Sequence, residues 1–276
     1  ADAAWLRAAA RFIARSTSSS YNELASGANT IGLADAGVSP QKDGLDVAAM
    51  LANPPKNLIV YQAGSADFAT PATFDAACGQ AEFHVHIGAY ASEGTRNTAH
   101  VILPIGLPPE IDGSYTNIDG TVQTLAAASK LPGDARPGWK VLRALGSALA
   151  LEGFGFTEIA EVRKGMSKRQ AAAGEPGERK ASAKQQGLLE RVATTAIYRS
   201  DAVLRRSPSL NAHPLTRGPL VAMNPVDAAA LGFDHGAQAW VEKTPLTVHI
   251  DASVPEGAAW IEAGYAEVSR LPGNGA

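Results

Sequence analysis

A stretch without large apolar residues constrains this chain most. Between Val162 and Leu188 there is no Leu, Ile, Val or aromatic residue. Such a run cannot bury enough apolar area to offset the entropy of ordering it. It reads as a solvated linker or a long surface excursion. The 276 residues suffice for one large domain or two ordinary ones. The expected division is therefore an α/β domain over residues 1–155, a basic linker over 156–187, and a second domain over 188–276. Charge follows the same boundary. Residues 160–206 carry 11 Lys/Arg against 5 Asp/Glu, within a chain whose net charge is −3. Arg163, Lys164, Lys168, Arg169, Arg179, Lys180 and Lys184 supply most of that excess. They read as a solvated linker or as a patch for an acidic partner or anionic lipid. No aromatic residues interleave them, and the chain as a whole is slightly acidic, so nucleic acid is not an expected partner.

The N-terminal part alternates helix and strand signals. Trp5, Ala8, Ala9, Phe12 and Ile13 mark one face of a first helix. Asp43 is placed to cap a short helix carrying Leu45, Val47, Ala48 and Leu51. Asn57–Tyr61 (NLIVY) reads as a strand buried on both faces. Thr70-Pro71 reads as a cap and first helical position, with Phe74, Ala77 and Cys78 sharing a face. Phe83–Ile87 and His100–Ile105 follow as strands, the latter ended by Pro104. Pro137 opens a helix with Val141, Leu142, Leu145 and Leu149. This order predicts parallel pairing and a three-layer α/β sandwich. In the C-terminal part, short strands are expected at Pro219–Met223, Ala237–Glu242, Thr247–Asp251 and Ala258–Glu262, with Asn224-Pro225 capping a helix that stops at Gly232. Short strands at close spacing predict a small β-barrel with one inserted helix.

Few residues offer chemistry. Cys78 is the one cysteine. A single thiol cannot hold an iron–sulfur cluster or a cysteine-based zinc site, and on an apolar face it reads as a small buried hydrophobe. His84 and His86 flank Val85 on a strand and point to one face, an arrangement that suits either a metal pair or two packed histidines. No carboxylate or cysteine lies near them at ligand spacing, and the remaining histidines read as surface or turn residues. Gly27, Gly32 and Gly37 suit tight backbone packing or a phosphate cradle. Glu110–Gln123 (EIDGSYTNIDGTVQ) holds Asp112-Gly113 and Asp119-Gly120 around Asn117, and reads as two turns joined by an extended piece. It follows a strand, where α/β proteins place ligands. No apolar run approaches the ~20 residues of a membrane span, so direct membrane insertion is not expected. The amphipathic N-terminus does not read as a signal peptide.

The run Thr95–Gln123 resembles the signature of the molybdopterin oxidoreductase superfamily. There a strand ending in Leu-Pro is followed by Glu, then Gly-Thr, Asn, Glu-Gly-Arg and Gln. Here those positions read Leu103-Pro104, Glu110, Gly113-Ser114, Asn117, Asp119-Gly120-Thr121 and Gln123. Gly133, Ala135, Trp139 and Val141 resemble the family's next motif. Residues 28–40 and 88–104 are similar to the large iron–sulfur subunit of bacterial NADH:quinone oxidoreductase, respiratory complex I. Arg206-Ser207, Leu210 and residues 224–237 resemble the superfamily's terminal barrel, the molybdopterin dinucleotide-binding-like domain.

The resemblance implies the rest. Catalytic relatives carry Arg at the position of Thr121 and Asp at that of His100. Loss of the Arg removes a bidentate anion donor. Glu110, Gly113, Asn117, Asp119, Gly120 and Gln123 are then a degenerate motif that holds no cofactor, and no catalytic or metal-binding residue is expected. Because the first residue is Ala1, the chain reads as a processed product or an excised fragment. Since the family's cysteine-rich cluster region is not matched, the resemblance implies the C-terminal portion of that subunit, starting inside the molybdopterin-type domain. Iron–sulfur clusters are expected upstream of it. The implied role is a non-redox structural portion of that large iron–sulfur polypeptide, supporting electron transfer from NADH to quinone. Its partners would be other peripheral-arm subunits, at the cytoplasmic face of the bacterial inner membrane, and this chain alone would be non-catalytic. The alternatives are a fragment of a catalytic enzyme of the formate dehydrogenase or nitrate reductase type, and an α/β module binding a small anion or nucleotide.

Overall fold

The computed structural model describes residues 2–24, 27–38, 40, 44–165 and 189–271. In chain order the elements are α1 (Asp2–Thr17), α2 (Thr30–Asp35), α3 (Val47–Ala52), β1 (Asn57–Tyr61), α4 (Pro71–Gln80), β2 (Phe83–Gly88), α5 (Glu93–Thr98), β3 (Val101–Pro104), β4 (Gly113–Thr116), β5 (Val122–Leu125), α6 (Gly138–Ala148), α7 (Ile159–Gly165), β6 (Glu190–Thr195), α8 (Pro208–Asn211), β7 (Leu220–Met223), α9 (Pro225–Leu231), β8 (Gln238–Val241), β9 (Thr244–Ile250) and β10 (Ala258–Ala263). They form two compact units, Ala1–Asp46 with Leu103–Ser182 and Val47–Ile102 with Ala183–Ala276. These units interleave along the chain, whereas the sequence reading draws its boundaries at 155 and 187.

In the second unit, β1 and β2 run parallel, with Asn57 opposite Phe83 and Tyr61 opposite Ile87. The helix α4 makes the crossover that a parallel pair requires. Strand order is β1-β2-β3. The central strand β2 is buried from His84 to Gly88. The strand β1 lies at the edge, so the expected burial on both faces fails: Val60 is buried, whereas Ile59 and Tyr61 stay 49% and 43% exposed. Pro71 starts α4 as expected, but the Thr70 side chain makes no capping hydrogen bond. Phe74, Cys78 and Val60 form one small core, with Phe68 stacked on Phe74 at 4.4 Å between ring centres. The residue proposed to cap α3, Asp43, lies outside the described residues.

The barrel expected at the C-terminus is not what forms. Strands β6, β10, β7, β9 and β8 make one open, mixed sheet in that order, and no closure of β6 onto β8 is found among the described residues. The sheet pairs β7 with β9 and β10 with β6 in parallel. The helix α9 connects β7 toward the β8–β9 hairpin. Asn224 Oδ1 accepts the Val226 N–H at 3.0 Å at its start, and Gly232 takes φ +74° at its end, as the sequence predicts. The core of this sheet comprises Val221, Met223, Leu246, Val248, Ile261 and their neighbours. The strand β6 went unpredicted, because its sequence (ERVATT) holds only one large apolar residue.

In the first unit, β4 and β5 form an antiparallel hairpin. The helix α6 ends before Leu149, which is 58% exposed rather than part of a buried stripe. Phe12 and Ile13 of α1 are also exposed, at 52% and 60%. The expected linker is partly helical, since α7 lies within it. Of its basic residues, Lys168, Arg169, Arg179, Lys180 and Lys184 lie outside the described residues. No described helix is long and apolar enough to cross a membrane.

Candidate functional site

The degenerate motif spans the β4–β5 hairpin and the turn before it, and its carboxylates accept the chain's own backbone N–H groups. Glu110 Oε2 accepts the Leu107 N–H at 2.8 Å, closing the turn that follows β3. Asp112 Oδ1 accepts the Ala127 N–H at 2.8 Å across the open end of the hairpin. Asp119 Oδ1 accepts the Thr121 N–H at 2.9 Å, which holds its carboxyl below the usual carboxylate range. Gly120 takes φ +83° in that turn, a backbone conformation costly for residues with a Cβ. Thr121 N–H is therefore spent on a turn carboxylate. Asp112-Gly113 is no turn, because Gly113 already opens β4. Tyr115 pairs with Gln123, whose side chain is exposed. Arg163 on α7 reaches the hairpin and donates to Ser114 Oγ at 3.2 Å and to the Gly113 carbonyl at 2.9 Å.

The glycine-rich stretch packs on the same hairpin. The Asn29 amide donates to the Ser114 carbonyl at 3.2 Å, and its oxygen accepts the Thr116 N–H at 2.9 Å, imitating a neighbouring strand. A Cβ on Gly32 would stand 2.3 Å from Asn29 Oδ1 and 3.0 Å from Thr116 Oγ1. Close packing, not a phosphate cradle, accounts for that glycine.

In the other unit, a cleft opens at the carboxyl ends of β1 and β2. Its space is about 500 Å³, part of it continuous with bulk solvent. Gln62 follows β1 with φ +54°, held there by its N–H to the Ile87 carbonyl at 2.8 Å. Asp67, Tyr90 and Ser92 come from the loops after the strands, and His86 from β2 itself. Arg205 and Arg206 enter from the short 3₁₀ turn Leu204–Arg206. Arg205 pairs with Asp67 at 2.5 Å. The Arg206 guanidinium sits 4.0 Å above the centre of the Tyr90 ring.

The histidine pair lies beside this cleft, and both residues are buried. Their rings stand edge-on with centres 6.3 Å apart. His86 Nε2 is bonded to the Tyr90 carbonyl at 2.9 Å. His84 Nδ1 lies 3.3 Å from Thr98 Oγ1, while its Nε2 has no partner. Among the described residues no group of three or more His, Cys, Asp or Glu is arranged to hold a metal ion. Burial, aided by the neighbouring His86, pushes His84 below the ordinary histidine range. The unfolded chain takes up a proton near pH ~6.5, where folded His84 still resists one. Stability therefore falls as pH drops from about 7 through 6 and levels off once folded His84 is also protonated. Urea midpoints measured across that range should show the decline, and His84→Gln should flatten it. Equal slopes in the two proteins would remove His84 as the cause. Cys78, in the small core with Phe74 and Val60, is also buried, and burial together with Asp75 pushes its thiol up to about 11.

Comparison with known proteins decides the family, because residues 2–148, just over half of the chain, match molybdopterin oxidoreductase. The chain belongs to the molybdopterin oxidoreductase family. A nitrate reductase of Synechocystis is 34% identical over 86 residues, 31% of this chain and 12% of that protein. The mitochondrial NADH-ubiquinone oxidoreductase 78 kDa subunit of Neurospora crassa is 36% identical over 84 residues, 30% of this chain and 11% of that protein. The matched stretch thus spans about a tenth of these family members. The solved structure of acetylene hydratase from Pelobacter acetylenicus superposes on 72% of this chain and 35% of that chain, with a TM-score of 0.50 and 18% identity. At that identity the likeness shows the fold, an α/β architecture with a parallel sheet of the family's type.

Proposed function

We propose that this chain is a non-redox, structural portion of the large iron–sulfur subunit of a bacterial NADH:quinone oxidoreductase, or respiratory complex I. Its place would be the peripheral arm at the cytoplasmic face of the inner membrane, packed against other peripheral-arm subunits. The complex would pass electrons from NADH to quinone, and this portion would support the cluster-bearing region upstream. Similarity to the 78 kDa subunit supports the membership.

One observation supports the non-redox part: the motif's two carboxylates, Glu110 and Asp119, each already accept a backbone N–H of the chain itself. The family implies a molybdopterin group, and the residues present do not fit one. Glu110, Asp112 and Asp119 each accept a backbone N–H, and Arg163 is bonded to Ser114 and Gly113. Thr121 offers no guanidinium where the resemblance calls for Arg. In the strand-end cleft, Asp67 adds a negative charge, and Arg205 is already paired with it. A phosphate-bearing ligand needs cations free to meet it. The Cys78 thiol, pushed up to about 11 by burial, is not poised as a thiolate ligand.

The similarity to nitrate reductase favours a second reading, a fragment of a catalytic molybdopterin enzyme. Purification of the protein from its own cells, as its full reading frame, separates the two. Molybdenum and oxidised-pterin fluorescence are measured per polypeptide, and NADH-oxidising activity is followed on a native gel. The structural reading expects neither molybdenum nor pterin, with the protein migrating in an NADH-oxidising complex. Stoichiometric pterin would establish the second reading, and migration outside such a complex would end the assignment to the peripheral arm.

A further inference from the structure

Independently of that assignment, we propose that Arg205 and Arg206 form an internal latch. Two guanidinium groups from one turn line the strand-end cleft and lock residues 197–213 onto the ends of β1 and β2. All the groups involved belong to the second compact unit.

The catch is a carboxylate gripped from both sides. Asp67 ends the 3₁₀ turn Ser65–Asp67 just after β1, and its Oδ2 accepts the Gly64 N–H at 2.8 Å. Its Oδ1 takes Arg205 Nη2 at 2.5 Å. The Arg205 side chain is 9% exposed, and its other terminal nitrogen donates to the Arg199 carbonyl at 3.2 Å. Burying a charge is costly unless its polar atoms are bonded, and both terminal nitrogens of Arg205 are. Arg206 adds a second hold over Tyr90, beyond β2, with its Nη1 on the Ala202 carbonyl at 2.7 Å.

The turn that carries both arginines is itself fixed. Asp201 Oδ1 accepts the Val203 and Leu204 N–H groups at 2.8 and 2.9 Å. Asn211 Nδ2 donates to the Arg205 and Ser207 carbonyls, each at 2.9 Å. Arg199 Nη1 donates to Asn211 Oδ1 at 2.8 Å. The guanidinium groups are thus presented in place, and little side-chain freedom remains to be lost when they seat. The pair joins residues 138 apart in sequence, so it forms only when the two halves of the unit are assembled. The latch makes the cleft an internal joint rather than an anion site.

A double-mutant cycle on the full chain, read by thermal unfolding, tests this. Asp67→Asn and Arg205→Gln should each lower the midpoint by roughly 5 °C, since removing one partner strands the other charge. The double variant should fall little further than either single one. An additive loss in the double variant, or singles indistinguishable from the parent, would overturn the latch. Arg205→Lys keeps the charge without the planar fork and guards against a variant that fails to fold. It should retain more than half of what Arg205→Gln loses, and an equal loss counts against the ion pair. Inorganic pyrophosphate, compared with sodium chloride at equal ionic strength, should leave the parent midpoint unchanged. A rise would mark the cleft as an anion site and end the proposal.

Discussion

Truncation of Ile261 to alanine is expected to lower the stability of the C-terminal sheet by about 3 kcal/mol, within the usual ~2–5 kcal/mol range for a buried Ile-to-Ala change. Ile261 is 1% exposed on β10, whose neighbours are β6 and β7. It lies between Ala193 and Val221 in register and packs in one core with Val221, Leu246 and Val248. Deleting three carbons there loses their transfer free energy and leaves a cavity that the flanking strands cannot collapse to fill. Urea unfolding followed by tryptophan fluorescence reads the change. Trp260, next in sequence on the opposite face, reports on the same strand. Ile261→Val should cost only about 0.5–1.5 kcal/mol. A loss below about 1 kcal/mol for the alanine variant would mean that this strand is not packed as described.

Gly146→Ala is expected to destabilise the first unit by about 1–3 kcal/mol, although alanine is the better helix former. Gly146 lies inside α6 and is buried. A Cβ there would stand 2.3–2.5 Å from three atoms of the Phe154 ring. The half-buried Phe154 ring neighbours Phe156, which in turn neighbours Trp139, with ring centres about 6 Å apart, so pushing it aside disturbs that aromatic cluster. Overpacking therefore outweighs the ~1 kcal/mol gained from helix propensity. The sign should reverse in a Phe154→Ala background, where the same substitution gains roughly 1 kcal/mol. Thermal unfolding of the four proteins checks this. A loss that persists without the ring would show that something other than Phe154 crowds Gly146.

Legibility from sequence followed the range of the interactions. The β1 and α4 boundaries were readable, because an apolar run ended by turn residues and a proline at the first helical position act within a few residues. Both caps of α9 were readable for the same reason. The turn at Asp119-Gly120 was seen, but the use of Asp112 was not, since its partner is the Ala127 N–H, 15 residues on. His84 and His86 were legible as sharing a face, whereas only the fold showed one of them bonded to a backbone carbonyl and the other with an unpartnered nitrogen. Cys78 was readable as a buried hydrophobe from its apolar face, and its burial agrees. Arg205 and Asp67 were missed altogether. Nothing local marks Asp67, whereas the adjacent Arg205-Arg206 beside the Asp201 turn is a local signal.

By itself, the sequence determined the long or well-capped elements, such as β1, α4, β2 and α9, and which family the chain resembles. Those features rest on backbone sterics and on hydrogen bonds a few residues long. Only the tertiary structure decided that β1 takes an edge, that the C-terminal strands make an open mixed sheet instead of a barrel, and that Asn29 and Asp67 find their partners at Thr116 and Arg205. These outcomes depend on which distant segments meet, and a pattern read along the chain does not contain the free energy of that meeting.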